Sequence, residues 1–495
     1  MIQKKSNKFI SKEIQSVLEI ALSYHKLGII EEAKKRYEHV LDVYPKNFDA
    51  LHLLGTIHLQ KNNYDEALVL ITKAIKLNSK SEIFYNNRGL VLFELRKFND
   101  AALNYSKALK INSRFVEAYN NYAIVLQSLN QSDKALSVLN KAILINDKNA
   151  SLFTRKGIIQ RELGLFEESL ENLNKAIRID KTYVDAYFAK SLTLIAAGRL
   201  SEGWKLHEYR WKSPSYKSKR IITNKPQWEK KEKKKKILLW SEQGIGDEIM
   251  CSSLINELLK HCSKLIVASD KRLIPLYKRS FSEKITFIDT LLLEKEQIDY
   301  DFHLPIFSLP LHFKNDPNDQ SSGKKYLFAD IKRTQSIRKK IDNPNNKKII
   351  GISWKSVSWI SSRSFSLNDF LEYFNTDKYI FVNLQYGNVS LELENAYKKL
   401  GIRVQDIDSV DNFNDLDGLA SLIEACDKIV SIDNITIHLA GALGKDTHVL
   451  LPYNSDYRWI LYRKKSIWYD SLNLYWQSKD TKWENAFKEI NNQIN

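Results

Sequence analysis

The chain has 495 residues, enough for two to four domains, and 43% hydrophobic with 27% charged residues places it among globular rather than disordered proteins. No run of about 18 apolar residues occurs, which excludes a conventional helical membrane span. The basic N-terminus lacks the apolar core and small-residue cleavage site of a secretory signal, and Cys251, Cys262 and Cys426 form no C-x-x-C pair. A reducing, cytoplasmic location is expected, with neither a disulfide scaffold nor a structural zinc site.

The net charge of +17 is unevenly placed. Residues 1–211 carry +9, residues 212–236 carry +9, and residues 237–495 carry −1. A whole-protein nucleic-acid binder is not expected from that distribution.

The first 211 residues repeat with a period of 34. Small residues recur at Ala21, Gly55, Gly89, Ala123, Gly157 and Ser191, and again at Ala33, Ala67, Ala101, Ala135, Ser169 and Gly203. A third series runs Ala74, Ala108, Ala142 and Ala176. The physical unit is a pair of amphipathic helices in which a small residue lets the partner helix come close. Asn86, Asn87, Asn120 and Asn121 lie on the first helix of successive units. They either bond an extended peptide backbone or are simply solvated. Trp204 and Trp211, two helical turns apart, either cover the end of the stack or dock it onto the next domain; docking is favoured.

These series resemble the tetratricopeptide repeat over about residues 11–211. The resemblance implies a right-handed, all-α superhelix whose groove takes a protein or peptide.

Residues 212–236, KSPSYKSKRIITNKPQWEKKEKKKK, read as a solvated Lys-rich linker, with peripheral contact to an acidic surface such as anionic lipid as the sharper alternative. Beyond them, short apolar runs alternate with helical stretches. Strands are expected at Lys236–Trp240, Lys264–Ala268, Lys348–Trp354, Tyr379–Gln385, Lys428–Ile432 and Thr447–Leu451. The pattern predicts parallel α/β architecture in two Rossmann-like lobes, 237–330 and 331–495, with an irregular hinge near 315–346. A terminal helix is expected over Thr481–Ile494, since Trp483, Phe487 and Ile490 fall at helical spacing. The repeats and the α/β half are expected to have separate cores.

Ser241-Glu242-Gln243-Gly244-Ile245-Gly246-Asp247-Glu248 and Asp433-Asn434-Ile435-Thr436-Ile437-His438-Leu439-Ala440-Gly441 are similar to segments of the heptosyltransferase-like (family nine) glycosyltransferases of the two-lobed GT-B fold. Asn383–Gly387 and Leu450–Tyr453 fit the same group, whose fold implies that the terminal helix crosses back onto the first lobe. The resemblance implies metal-independent sugar transfer, with a nucleotide-sugar as cosubstrate and no other cofactor. It implies Asp247 as the base that takes the acceptor's proton; a helix-capping carboxylate is the alternative. Gly244 and Gly246 open a strand–helix turn where a ligand can approach the backbone. Asp433, Asn434, Thr436 and His438 surround a helix start suited to the donor's phosphates and ribose, or else cap and pack that helix. Lys355 and Arg363 offer a cation for the leaving diphosphate or lie solvated, and Gln385 and Tyr386 are placed to touch base or ribose. The chain departs from the group's pattern at Asn434-Ile435, where heptosyltransferases commonly place Thr and Gly. The competing function is a non-catalytic scaffold for protein–protein interaction.

Overall fold

The computed structural model describes residues 2–494 except 294, 296, 319–322, 357–363, 375–376 and 481, and for residues 2–12 the backbone alone. The chain forms two compact units, Met1–Ile159 with Arg178–Asp180, and Gln160–Ile177 with Lys181–Asn495.

The first unit is built of helices α1 (Ile2–Lys26), α2 (Ile30–Val43), α3 (Phe48–Gln60), α4 (Tyr64–Leu77), α5 (Glu82–Glu94), α6 (Phe98–Ile111), α7 (Val116–Ser128), α8 (Ser132–Ile145) and most of α9 (Ala150–Glu162). The small residues act as their spacing implies. A methyl group on Gly55 would lie 2.7 Å from Ile71, and one on Gly89 2.7 Å from the Tyr105 ring, so each glycine lets its partner helix close in. Ala67, Ala74, Ala101, Ala108, Ala135 and Ala142 are fully buried.

The second unit opens with α10 (Phe166–Ile179), α11 (Val184–Ala196) and α12 (Leu200–His207), then a short turn of tighter helix over Glu208–Lys212. One further series of period 34 runs through both units. The residue in the turn between paired helices is left-handed at Gly28, Asn62, Arg96, Asn130, Gly164 and Gly198. Glycine and asparagine accept that conformation readily, and Arg96 does so at a cost.

Two separate sheets complete this unit. The first holds β1 (Lys235–Trp240), β2 (Cys262–Ser269), β3 (Ile285–Asp289) and β4 (Phe302–Pro305) in the order β3-β2-β1-β4, all parallel. Helices α13 (Ile245–Ser252), α14 (Ile255–Leu259), α15 (Ile274–Ser280) and α16 (Leu309–Phe313) accompany it. After α17 (Ile331–Lys340) the second sheet holds β5 (Lys348–Ser353), β6 (Tyr379–Asn383), β7 (Val404–Gln405), β8 (Lys428–Ile432), β9 (Thr447–Leu451) and β10 (Leu472–Trp476) in the order β10-β9-β8-β5-β6-β7, again parallel. Its helices are α18 (Leu367–Leu371), α19 (Ser390–Leu400), α20 (Leu416–Ala425), α21 (Ile435–Ala442) and α22 (Glu484–Ile494).

Four expectations need correction. The hinge near 315–346 is not wholly irregular: α17 lies in it, capped by Asp330 and tied to α20 through Arg333–Asp415 and to Asp427 through Arg338. The terminal helix does not pack on the first sheet, as the GT-B resemblance suggests. Phe487, Ile490 and Ile494 join the core around Ile350, Phe365 and Phe370 of the second; Thr481 lies outside the described residues.

The linker is not simply solvated either. Trp228 is buried, its backbone N–H donates to His303 O, and Tyr216 donates to Glu242 at 2.6 Å. Finally, the last repeat shares its core with the α/β half. Leu200 and Trp204 lie in one apolar cluster with Leu239, Ile249, Ile437 and Trp468. Trp204 meets Trp468 edge-on at 6.2 Å and Trp211 lies 5.4 Å from Trp240, so both tryptophans dock.

Candidate functional site

In parallel α/β sheets, ligands sit beyond the carboxyl ends of the strands. Here the carboxyl end of β1 and those of β8 and β9 meet. The loop after β1 leads to Gly244, which starts α13, and Asp247 follows in its first turn. Asp247 Oδ1 lies 2.5 Å from Arg458 Nη1, and Arg458 Nη2 lies 3.2 Å from Asp456. Both residues come from the loop after β9.

Burial pushes the Asp247 carboxyl up to about 6. Arg458 and the Gly244 backbone hydrogen bond pull the other way, while Asp456 and Asp433 add to the rise. Burial also disfavours the Arg458 charge, but Asp247, Asp456 and Asp433 more than offset it, so the guanidinium stays protonated. One buried cation therefore serves several carboxylates.

Around this pair, the residues expected at the site divide by role. Gly246 permits close helix packing: a methyl group there would come 2.7 Å from the His438 ring. His438 is itself packed, with Nδ1 3.1 Å from Tyr469 Oη and its ring stacked on Trp459. Burial lowers its pKa to about 3, so it is neutral and serves the junction between α13 and α21. Asn434 caps α21, accepting from the Thr436 N–H at 3.0 Å, and its amide donates to Ser353 Oγ at 2.7 Å. Asp433 is buried at the end of β8, and Thr436 Oγ1 is buried with no hydrogen-bond partner among the described residues.

Gln385 is committed to the backbone. Its Oε1 accepts from Ser353 Oγ and from the N–H groups of Trp354 and Lys355, at 2.7–3.0 Å. Lys355 pairs with Glu392 on α19. Tyr386 lines a separate groove of about 540 Å³ with Asp411, Asn412 and Phe413. Arg363 lies outside the described residues. Glu248, next to Asp247, faces the other way: it accepts from Ser269 Oγ, and burial raises its pKa to about 7.

Sequence reasoning missed Arg458 and Asp456. The signal was the run Asp456-Tyr457-Arg458-Trp459, charged and aromatic residues in the loop that follows a buried strand. Ile460 and Tyr462 just beyond it are left-handed, with φ of 41° and 61°, a strained conformation for an isoleucine.

The last repeats hold both loops of the site. Arg210 is fully buried and forks onto Glu242 at 2.8 and 2.9 Å, in the loop before Asp247. It also reaches Glu208 at 2.7 Å and Ser308 at 3.0 Å. His207 lies 6.3 Å from the Tyr457 ring, and Gly164 leaves room for Leu461.

In the first unit the asparagines form a seam. Asn121 Nδ2 donates to Asn86 Oδ1, Asn86 Nδ2 to Glu117, and Asn87 meets His52 at 2.9 Å. Burial lowers His52 to about 4, so it is neutral there. Among the described residues, no group of three or more His, Cys, Asp or Glu side chains is placed to hold a metal ion, and no helix is long and apolar enough to cross a membrane.

Comparison with known proteins bears on the helical array. Sequence profiles of the tetratricopeptide repeat match residues 26–84, 104–137 and 150–183. The array is made of tetratricopeptide repeats. Protein FlbA of Caulobacter vibrioides is 26% identical over an alignment of 319 positions that covers 60% of this chain and 52% of FlbA. The chain thus spans about half the length of that curated relative. Among solved structures, TTC0263, a thermophilic TPR protein of Thermus thermophilus, is 18% identical and covers 37% of this chain and 99% of its own, with a TM-score of 0.33. YrrB, described as a TPR protein with an unusual peptide-binding site, is 23% identical over 37% of this chain and 97% of its own, with a TM-score of 0.32.

Proposed function

We propose that the protein is a glycosyltransferase of the GT-B kind, moving a sugar from a nucleotide-sugar to an acceptor hydroxyl. The observation that carries this reading is the buried Asp247–Arg458 pair at the carboxyl ends of two parallel sheets. The acceptor oxygen attacks the anomeric carbon while its proton passes to Asp247. The bond to the diphosphate breaks, and the diphosphate leaves with the electron pair. Arg458 and the first N–H groups of α21 stabilise that developing charge, and the Thr436 hydroxyl is at hand to donate to it. A carboxyl near 6 is well matched to a base working near neutrality. Once a diphosphate engages Arg458, Asp247 loses part of its counter-charge and becomes more basic.

The repeats support a second role, a scaffold that holds a protein or peptide; YrrB, a TPR protein, has a peptide-binding site. In the enzyme reading this partner is the acceptor; in the scaffold reading it is all there is. A hydrolysis and transfer screen across UDP-, GDP-, ADP- and CMP-sugars decides between them. The enzyme reading expects turnover on one donor with an acid limb near pH 6, because Asp247 must be ionised. No turnover and no nucleotide binding on any donor leaves the scaffold.

A further inference from the structure

The basic surface of the second unit has no part in sugar transfer. Residues 212–236 carry eleven basic and two acidic residues, and the run Lys230–Lys236 leads into the amino end of the first sheet. Lys236, the second residue of β1, lies in register with Lys264 of β2. Lys231, Lys233, Lys234, Lys235 and Lys264 are exposed. Lys225 joins them: Tyr300 Oη donates to Thr223 at 2.8 Å, and Asp299 feels Lys236 first, then Lys264 and Lys225, all of which lower its pKa. Asp299 is paired with Lys236 at 2.5 Å and Glu257 with Lys260, which leaves Lys233, Lys234 and Lys235 without a counter-charge at hydrogen-bond range among the described residues.

A second observation sits in the same patch. Ile222 is 97% exposed, flanked by Lys219, Arg220 and Lys225. An aliphatic side chain held out to water among cations matches a bilayer interface, where headgroups meet the lysines and the hydrocarbon boundary takes the isoleucine. Nucleic acid would favour exposed ring faces for stacking. Here the rings are turned in or covered: Trp228 is buried and Lys230 lies over Phe313 at 5.1 Å.

We propose that this patch, Ile222 with Lys233, Lys234, Lys235 and Lys264, docks the protein on an anionic lipid surface. The lysines of the patch lie at the opposite strand ends from Asp247, roughly 17 Å away along β1, so a docked molecule keeps its cleft open to the other side.

The test is sedimentation of the full chain with phosphatidylcholine vesicles, with and without about 30% phosphatidylserine. Binding is expected only with phosphatidylserine, and is expected to vanish at about 0.5 M salt. Replacing Lys233, Lys234 and Lys235 together by Gln is expected to lower partitioning about 100-fold, at roughly fivefold per lysine. Ile222→Ser leaves the charge unchanged and is expected to lower it about tenfold. All four side chains are exposed, so unchanged thermal transitions should accompany these losses. Equal binding to both vesicle types, no binding to either, or unaltered binding by the triple variant overturns the proposal. So does a single-stranded oligonucleotide that binds the patch when the anionic vesicles do not.

Discussion

The helical array and the α/β half are held together differently. In the first unit the buried residues fall into small neighbouring clusters, such as Ala33, Tyr37 and Leu54, then Ile71, Ala74 and Phe84, then Tyr105 and Val125. Each helix pair answers mainly to the next. In the second unit one large cluster runs from Trp204 of the last repeat through both sheets to Trp468. The first kind of unit tolerates local change. The second couples the last repeat to both loops of the candidate site, so a change in the repeat reaches Asp247 and Arg458.

Arg210 gives the sharpest contrast. Arg210→Met leaves the buried Glu242 and the partly buried Glu208 without their cation, and should cost about 3–5 kcal/mol. Denaturant unfolding should show the loss in the α/β transition, with the helical signal of α1–α8 retained to higher denaturant. A single transition shifted as a whole would break the comparison.

Glu248 separates the units by pH. Its folded pKa of about 7 lies above the ordinary carboxyl value of 4.5, so the folded state binds more protons and stability falls as pH rises between those values. Asp247, raised to about 6, acts in the same direction over a narrower range. Glu248→Gln should therefore raise stability at pH 8 by roughly 2 kcal/mol and leave it little changed at pH 4. Equal effects at both values would mean that the carboxyl is not held up by burial.

Gly246→Ala should cost about 1–3 kcal/mol, because its methyl group meets the His438 ring, wedged between Trp459 and Tyr469. The smallest effect is expected at Arg96, left-handed where Gly164 and Gly198 stand in other repeats. Arg96→Gly should stabilise by about 0.5–1 kcal/mol, seen as a small rise in the first unit's midpoint.

The same contrast explains what was legible. In the array, three interlocked series placed the helices, since one geometric unit recurs. The fourth series escaped because Asn62, Arg96 and Asn130 share a backbone conformation rather than a side-chain type. In the α/β half the six strands anticipated, β1, β2, β5, β6, β8 and β9, are all interior strands. The four missed, β3, β4, β7 and β10, are the sheet edges. Interior parallel strands are buried on both faces and read as apolar runs, whereas Ile285–Asp289 alternates and Phe302–Pro305 holds a histidine and a proline. At the site, glycine turns and the residues around α21 stand out in sequence. The partner of Asp247 does not, because only the fold brings a loop after β9 to the end of β1.

Asp247→Asn is the most direct test of the central claim. The substitution keeps the size of the side chain and removes its capacity to take a proton. With a verified donor and acceptor, kcat should fall by about 10²–10⁴-fold while donor Kd does not rise, because loss of the Asp247 charge leaves Arg458 freer to meet the diphosphate. Turnover near that of the unaltered protein would contradict the account and leave Asp247 as the structural counter-charge of Arg458.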